Sequence, residues 1–232
     1  MTRPAPPRSD ISDAELLDAL AADRARATEL VDVSRETWSR LDRFVALLID
    51  WQSRQNLIAR STLPQIWTRH IADSLQLLAL APTAKIWVDL GAGAGFPGLP
   101  LACALADTDG AVVHLVESIG KKAAFLTEAA RVTVVPAKVH CTRIENFVTM
   151  PIGSLDVITA RALAPLDKLF VLIEPLVRRG ARALLLKGQD VGAELTLASK
   201  YWNIDATLTP SKTSSEGRIV VVSGLQRLDR RR

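Results

Sequence analysis

Apolar positions along the chain follow two different spacings, and the change falls near Pro82. Before it, the hydrophobic residues recur at helical intervals. Ser12 followed by Glu15 reads as a capping box that opens a short helix ending near Ala22. Ser34 opens a longer one, in which Trp38, Leu41, Val45 and Leu48 share a face with Phe44 and Trp51 alongside, closing at Asn56-Leu57. A further helical pattern runs from Leu63 to Leu80. After Pro82, short apolar runs alternate with helical segments. Strands are predicted near 85–90, 111–117, 137–142, 155–160, 181–187, 201–208 and 218–224, and helices near 97–107, 119–130, 143–148, 165–178 and 190–198. Continuous runs such as Val112-Val113-His114-Leu115-Val116 fit strands covered on both faces. Strand–helix alternation predicts an α/β fold, a doubly wound and mostly parallel Rossmann-like sheet with right-handed crossovers. Only a Ser/Thr/Gly-rich link (209–217) separates the last two strands, so they form a hairpin and supply an antiparallel edge strand.

This divides the chain into a disordered tail over 1–10, a helical cap over 11–83 and a sheet domain over 84–232. With 232 residues and 48% hydrophobic content, the chain can bury a substantial core as one unit. The formal net charge is +4 and the isoelectric point is near 9.3, which suits a polyanionic partner and equally a merely basic surface. Two cysteines, Cys103 and Cys141, are too few for a disulfide framework or a zinc cluster, and point to a reducing cytoplasm. Residues 1–10 hold three prolines and two arginines and no apolar core, unlike a signal peptide. The apolar stretch 75–106 is interrupted by Pro, Gly, Lys and Asp, unlike a membrane span.

The most informative stretch is Asp89-Leu90-Gly91-Ala92-Gly93-Ala94-Gly95-Phe96-Pro97-Gly98, a strand end running through a glycine loop into a helix. Glycines there permit positive φ and close approach of a ligand, and free N–H groups at the helix start favour an anionic or carboxylate-bearing one. Gly93, Gly95 and Gly98 also satisfy the dinucleotide pattern G-x-G-x-x-G, so a nicotinamide-dependent oxidoreductase is one reading. The frame Asp89-x-Gly91-x-Gly93-x-Gly95 instead resembles motif I of S-adenosylmethionine-dependent methyltransferases. Glu117, which closes the next strand, suits the ribose hydroxyls of either cofactor.

Polar residues at the ends of successive strands should gather at one rim: Asp89, Glu117, Arg143 with Glu145, Arg161 and Lys187. After the strand 155–160 stands Thr159-Ala160-Arg161-Ala162, where enzymes that methylate exocyclic amines resemble one another in an Asn/Asp-Pro-Pro-Tyr signature. Neither cysteine sits at a strand end suited to a cytosine nucleophile, and no histidine–carboxylate cluster points to a metal. A reaction needing neither base nor covalent nucleophile fits these gaps. Guanine N7 carries an in-plane lone pair and needs mainly proximity and orientation, whereas a hydroxyl must lose a proton.

From about residue 40 onward the chain resembles the ribosomal RNA small subunit methyltransferase G family, also called glucose-inhibited division protein B. The matching pieces run in order: Asn56-Leu57, 69–75 (RHIADSL), 89–98 (DLGAGAGFPG), Val116-Glu117-Ser118, 121–126 (KKAAFL), Arg143-Ile144-Glu145, Arg161-Ala162 and Lys187-Gly188. The resemblance implies methylation of guanine N7 in 16S rRNA of the 30S subunit, with S-adenosylmethionine as donor. It implies that Gly91 and Phe96 line the methionine side, with Asp89, Gly93, Gly95, Glu117 and Ser118 completing the cofactor site. Ile144 and Glu145 would flank the adenine, Arg161 would reach the cofactor or the target pocket, and Arg161 and Lys187 are the candidates to orient the target base or a nearby phosphate. His70, Lys121, Lys122 and Arg143 are the substrate-side candidates, although His70 fits a structural hydrogen bond equally well, and Lys121 and Lys122 a merely solvated helix start. Arg69, His70, Asp73 and Ser74 look like the joint between cap and sheet, and Arg54, Arg60, Arg178, Arg179 and Arg182 like a phosphate-facing rim. Residues 131–139 depart from the pattern, with Pro136 leading into the third strand. A monomer is expected. A non-catalytic ribosome-binding protein that keeps the fold is a second alternative.

Overall fold

The computed structural model describes residues 12–228, so the tail expected over 1–10 lies outside the described residues. Helix α1 (Asp13–Leu30) opens on the capping box: the Ser12 hydroxyl accepts from the Glu15 N–H at 3.3 Å, and the Ser12 N–H donates to the Glu15 carboxylate at 2.9 Å. It continues eight residues past the expected stop. The reason is Asp23, a buried acid where the pattern calls for an apolar side chain. Its carboxylate accepts from the N–H groups of Trp67 (2.8 Å) and Thr68 (3.0 Å) and from the Thr68 hydroxyl (2.7 Å). Helix α2 (Arg35–Gln52) starts where Ser34 predicts and ends sooner than expected. The segment to Leu80 is a chain of tight pieces: a 3₁₀ turn (Arg60–Gln65), a π-helical turn (Trp67–Ala72), the single turn α3 (Asp73–Leu75) and another 3₁₀ turn (Gln76–Leu80).

The remainder alternates as the apolar runs require. Strands β1 (Ile86–Leu90), β2 (Val112–Glu117), β3 (Ala137–Cys141), β4 (Val157–Arg161) and β5 (Arg182–Lys187) are parallel. Strands β6 (Trp202–Pro210) and β7 (Arg218–Arg227) form the expected hairpin. The sheet order is β3-β2-β1-β4-β5-β7-β6, so the strand that opposes its neighbours, β7, sits one place inside edge strand β6. The irregular stretch before β3 resolves simply. Helix α5 (Gly120–Thr133) closes on Val134 in the left-handed region (φ 54°), and β3 follows at Ala137.

Side chains alternate between two apolar layers. Trp87, Val113, Leu115, Val157 and Leu184 face a cluster shared with Leu41, Phe44, Leu48, Ile66 and Ile71 of the N-terminal segment, helix α4 (Gly98–Ala104), and Phe125 of α5. Val88, Leu90, Val116, Ile158 and Leu185 face α6 (Ile144–Phe147), α7 (Leu166–Val177) and α8 (Val191–Ala198). The N-terminal helices are thus part of one face of the core, and this packing holds the π-helical turn over the carboxyl ends of β1 and β4. Among the described residues, no helix is long and apolar enough to cross a membrane.

Candidate active site

A cleft of about 890 Å³ lies at the carboxyl ends of the parallel strands, where a doubly wound sheet binds its ligand. One wall is the glycine loop, contributing Gly91, Gly93 and Phe96; the N-terminal segment supplies Thr62, Arg69, His70 and Asp73; Arg161 and Lys187 end β4 and β5. The β6–β7 turn closes the far end through Ser211, Thr213, Glu216 and Arg218. That turn reaches the site because Asp73 accepts from the Thr213 hydroxyl at 2.7 Å and Gln76 from the Lys212 N–H at 2.8 Å.

The loop's shape depends on its glycines. Gly91, Gly93 and Gly95 have φ of 70°, 56° and 94°, a region costly for other residues. A Cβ on Gly95 would sit 2.5 Å from Leu99 Cδ1, and on Gly91 2.7 Å from Leu163 Cδ1; on Gly93 it would meet only Gly91 O, at 3.6 Å, and otherwise enter the cleft. Loop amides are largely spent internally. Gly93 N–H donates to Glu117 Oε2 (3.0 Å), Ala92 N–H to Val116 O (2.9 Å) and Gly98 N–H to Asp89 Oδ2 (2.9 Å). The helix start therefore offers a ligand fewer free N–H groups than the sequence predicts.

Asp89 is buried beneath the loop, with the Thr159 hydroxyl on its other oxygen at 3.0 Å. Burial pushes its pKa up to about 7, against the lowering effect of the Gly98 and Thr159 hydrogen bonds. It braces the loop and does not line the cleft, and Gly95 is packed behind it in the same way. Glu117, buried at the end of β2, accepts from Gly93 N–H and from Ile119 N–H (2.7 Å). A carboxylate has further lone pairs, so it keeps capacity for hydroxyl donors.

Arg161 is the most constrained group in the cleft. Its Nη2 donates to His70 Nδ1 at 2.6 Å and its Nη1 to Arg69 O at 3.2 Å, with Asp73 at 3.6 Å. The guanidinium lies 5.2 Å from the Phe96 ring centre. His70 stacks on the same ring (4.9 Å, 24° between planes), and burial drives its pKa down to about 3 with help from Arg161 and Arg69. Lys187 Nζ pairs with Glu194 at 2.6 Å and donates to Ala164 O at 2.9 Å, so its charge is largely compensated.

The structure brings His70, Gly91, Gly93, Phe96, Lys122, Arg161 and Lys187 together around one cleft. Glu117, Ser118, Lys121, Arg143, Ile144 and Glu145 lie outside its lining, on the β2 and β3 side of the loop, with Glu117 buried and Ser118, Lys121, Arg143 and Glu145 exposed. The phosphate rim needs correcting. Arg182 opens β5, and Arg178 and Arg179 follow the end of α7, so all three lie at the opposite edge of the sheet. Strand polarity decides this, and a count of basic residues does not show it. Sequence reading passed over Thr62, Thr159, Gln189 and Arg218; none has a local pattern that marks it.

A glycine cradle beside an acid-terminated second strand, under an arginine on the fourth, is the site of a nucleoside-dependent methyltransferase. The cradle left open at Gly93 and the spare lone pairs of Glu117 fit S-adenosylmethionine. The family model for rRNA small subunit methyltransferase G matches residues 37–219. The chain is 61% identical to the ribosomal RNA small subunit methyltransferase G of Bradyrhizobium sp. strain BTAi1, over 90% of this chain and 94% of that one. It is 57% identical to the protein of the same name from Nitrobacter hamburgensis, over 99% and 85%. Among solved structures, a mutant of MtNAS in complex with S-adenosylmethionine shares the fold at 16% identity, with a TM-score of 0.51 over 90% of this chain and 88% of that one. The chain belongs to the ribosomal RNA small subunit methyltransferase G family, and it is a methyltransferase.

Proposed function

We propose that the protein transfers the methyl group of S-adenosylmethionine to N7 of a guanine in 16S rRNA, acting in the cytoplasm as a monomer on the 30S subunit or its RNA. The observation that carries the choice of atom is the chemistry of the cleft wall. No cysteine lines the cleft among the described residues, and its one histidine has both ring nitrogens engaged and is a very weak base. The histidine of such a wall is no general base for a hydroxyl, and the wall offers no thiol for covalent attack on a pyrimidine. Guanine N7 presents its lone pair without either.

The bound donor supplies an electrophilic methyl on a sulfonium. Gly91, Gly93 and Phe96 shape its methionine side, and Glu117 takes the ribose, braced by the loop amides. Ile144 and Glu145 stand on the adenine side, with Asp89 and Gly95 supporting the loop and Ser118 next to Glu117 on the ribose side. Arg161 presents a guanidinium beside the reacting position, where its hydrogen bonds orient the target base; Lys187, on the adjoining strand, holds base or phosphate. Arg69, Lys122 and Arg218 add positive charge along the cleft for the RNA backbone. Lys121 and Arg143, exposed beyond it, extend that path. Mapping 7-methylguanosine in 16S rRNA from cells with and without the protein tests the proposal. A single site lost with the protein supports it, and an unchanged map refutes it.

A further inference from the structure

The hydrogen bonds around Arg161 run in one direction. A guanidinium only donates, so the 2.6 Å contact from Arg161 Nη2 makes His70 Nδ1 an acceptor, without a proton. The single ring proton of a neutral imidazole then sits on Nε2, which faces the Thr62 hydroxyl at 3.1 Å. Thr62 accepts it and passes its own hydrogen to Ala59 O at 2.8 Å. Every donor in the series Arg161, His70, Thr62 has an acceptor, and the series ends on a backbone carbonyl.

The π-helical turn explains why one short segment can do this. It presents the Arg69 carbonyl, His70 and, one residue past its end, Asp73 to the same guanidinium. Phe96 completes the seat, with the imidazole stacked on its ring and the guanidinium near the same ring. Two arginine nitrogens are thus held from the cap side, leaving the remaining N–H donors for a ligand.

We propose that His70 is a positioning residue for Arg161: a neutral imidazole, fixed as the Nε2–H tautomer by Thr62, whose Nδ1 aims the guanidinium into the methyl-transfer cleft. The proposal rests on the reading of that cleft given above. His70 itself does not touch the base.

Three measurements test it. In methyl transfer to 30S subunits, His70→Gln removes the acceptor at Nδ1 and is expected to lower kcat/KM about tenfold or more. His70→Asn places a carbonyl oxygen near the Nδ1 position and recovers most of the loss. In an Arg161→Lys background, His70→Gln adds less than about a twofold effect, because the contact it serves is already gone. The same factor in both backgrounds overturns the proposal. Thr62→Val, which leaves the ring in place, gives a smaller loss in the wild type and none beside Arg161→Lys; an equal loss in both counts against it. Imidazole ¹⁵N shifts of the intact protein provide the third readout. The charged groups facing the ring are Arg161, Arg69 and Asp73. The expected spectrum is a neutral Nε2–H tautomer that does not titrate from about pH 8 to about pH 5. An Nδ1–H tautomer or a charged ring refutes the proposal whatever the activities show. If Arg161→Lys leaves methyl transfer unchanged, the reading of the cleft fails instead, and the shifts still judge the hydrogen-bond series.

Discussion

Gly93→Ala separates backbone strain from ligand exclusion. Gly93 has φ of 56°, so an alanine there pays the left-handed penalty of about 1 kcal/mol. For a chain of this size that lowers Tm by about 2–4 °C. The added methyl meets nothing closer in the protein than Gly91 O at 3.6 Å and points into the cleft, so the folded structure has room for it and a bound cofactor does not. Overpacking of about 1.4–2.8 kcal/mol in the complex corresponds to about a 10- to 100-fold loss of affinity. Gly110 is the control. It has φ of 77°, nothing within 4 Å of a built Cβ, and a place just before β2, at the sheet edge away from the cleft. Calorimetric titration with S-adenosylhomocysteine, beside thermal melts, reads both quantities. Gly93→Ala and Gly110→Ala should lose similar stability, and only Gly93→Ala should lose binding. Undiminished affinity in Gly93→Ala refutes the placement of the cofactor against the loop.

Other outcomes follow from the same geometry. Because the folded-state pKa of Asp89 stands near 7, above its unfolded value, its contribution to stability is greatest below about pH 4 and is lost as pH rises to about 7. Asp89→Asn, which mimics the neutral acid, should therefore flatten the Tm profile over that window; an unchanged profile would show Asp89 ionised at ordinary carboxylate pH. His70 and His114 are held neutral, with pKa values pushed down to about 3 and about 4 by burial, so they act in the opposite sense: stability is full above about pH 6.5 and falls as the unfolded chain takes up protons below it. Replacing His114 by Gln should reduce that acid slope in urea titrations at several pH values. Arg69→Ala, at the cleft, should reduce the salt slope of RNA binding by about one unit, while Arg182→Ala, at the far edge, leaves it unchanged; equal slopes would displace the RNA path. Val134→Gly should raise Tm by relieving a β-branched residue at φ 54° on the exposed end of α5; a lower Tm would show that unfolded-chain entropy outweighs the strain.

The parallel sheet was readable because strands buried on both faces are nearly continuous apolar runs, and because Gly91, Gly93 and Gly95 have few roles other than a loop at positive φ. What stayed hidden depends on partners far apart in the chain. Asp23 looks like a helix stop until Trp67 and Thr68 supply the N–H groups that it caps. His70 fits a ligand or a support equally in the sequence, and its contact with Arg161, 91 residues away, exists only in the fold. Arg182 looks as basic as Arg69, and only the direction of β5 places it at the wrong end. Local pattern carries periodicity and backbone conformation well. It carries little about which polar groups satisfy one another.

The most direct test incubates the purified protein with 30S subunits lacking the modification and S-adenosylmethionine labelled in its methyl group, then digests the 16S rRNA to nucleosides for mass spectrometry. Label recovered in 7-methylguanosine, and reduced in Gly93→Ala and Arg161→Lys, is the predicted result. Label in any other nucleoside, or none in the RNA, would contradict the account.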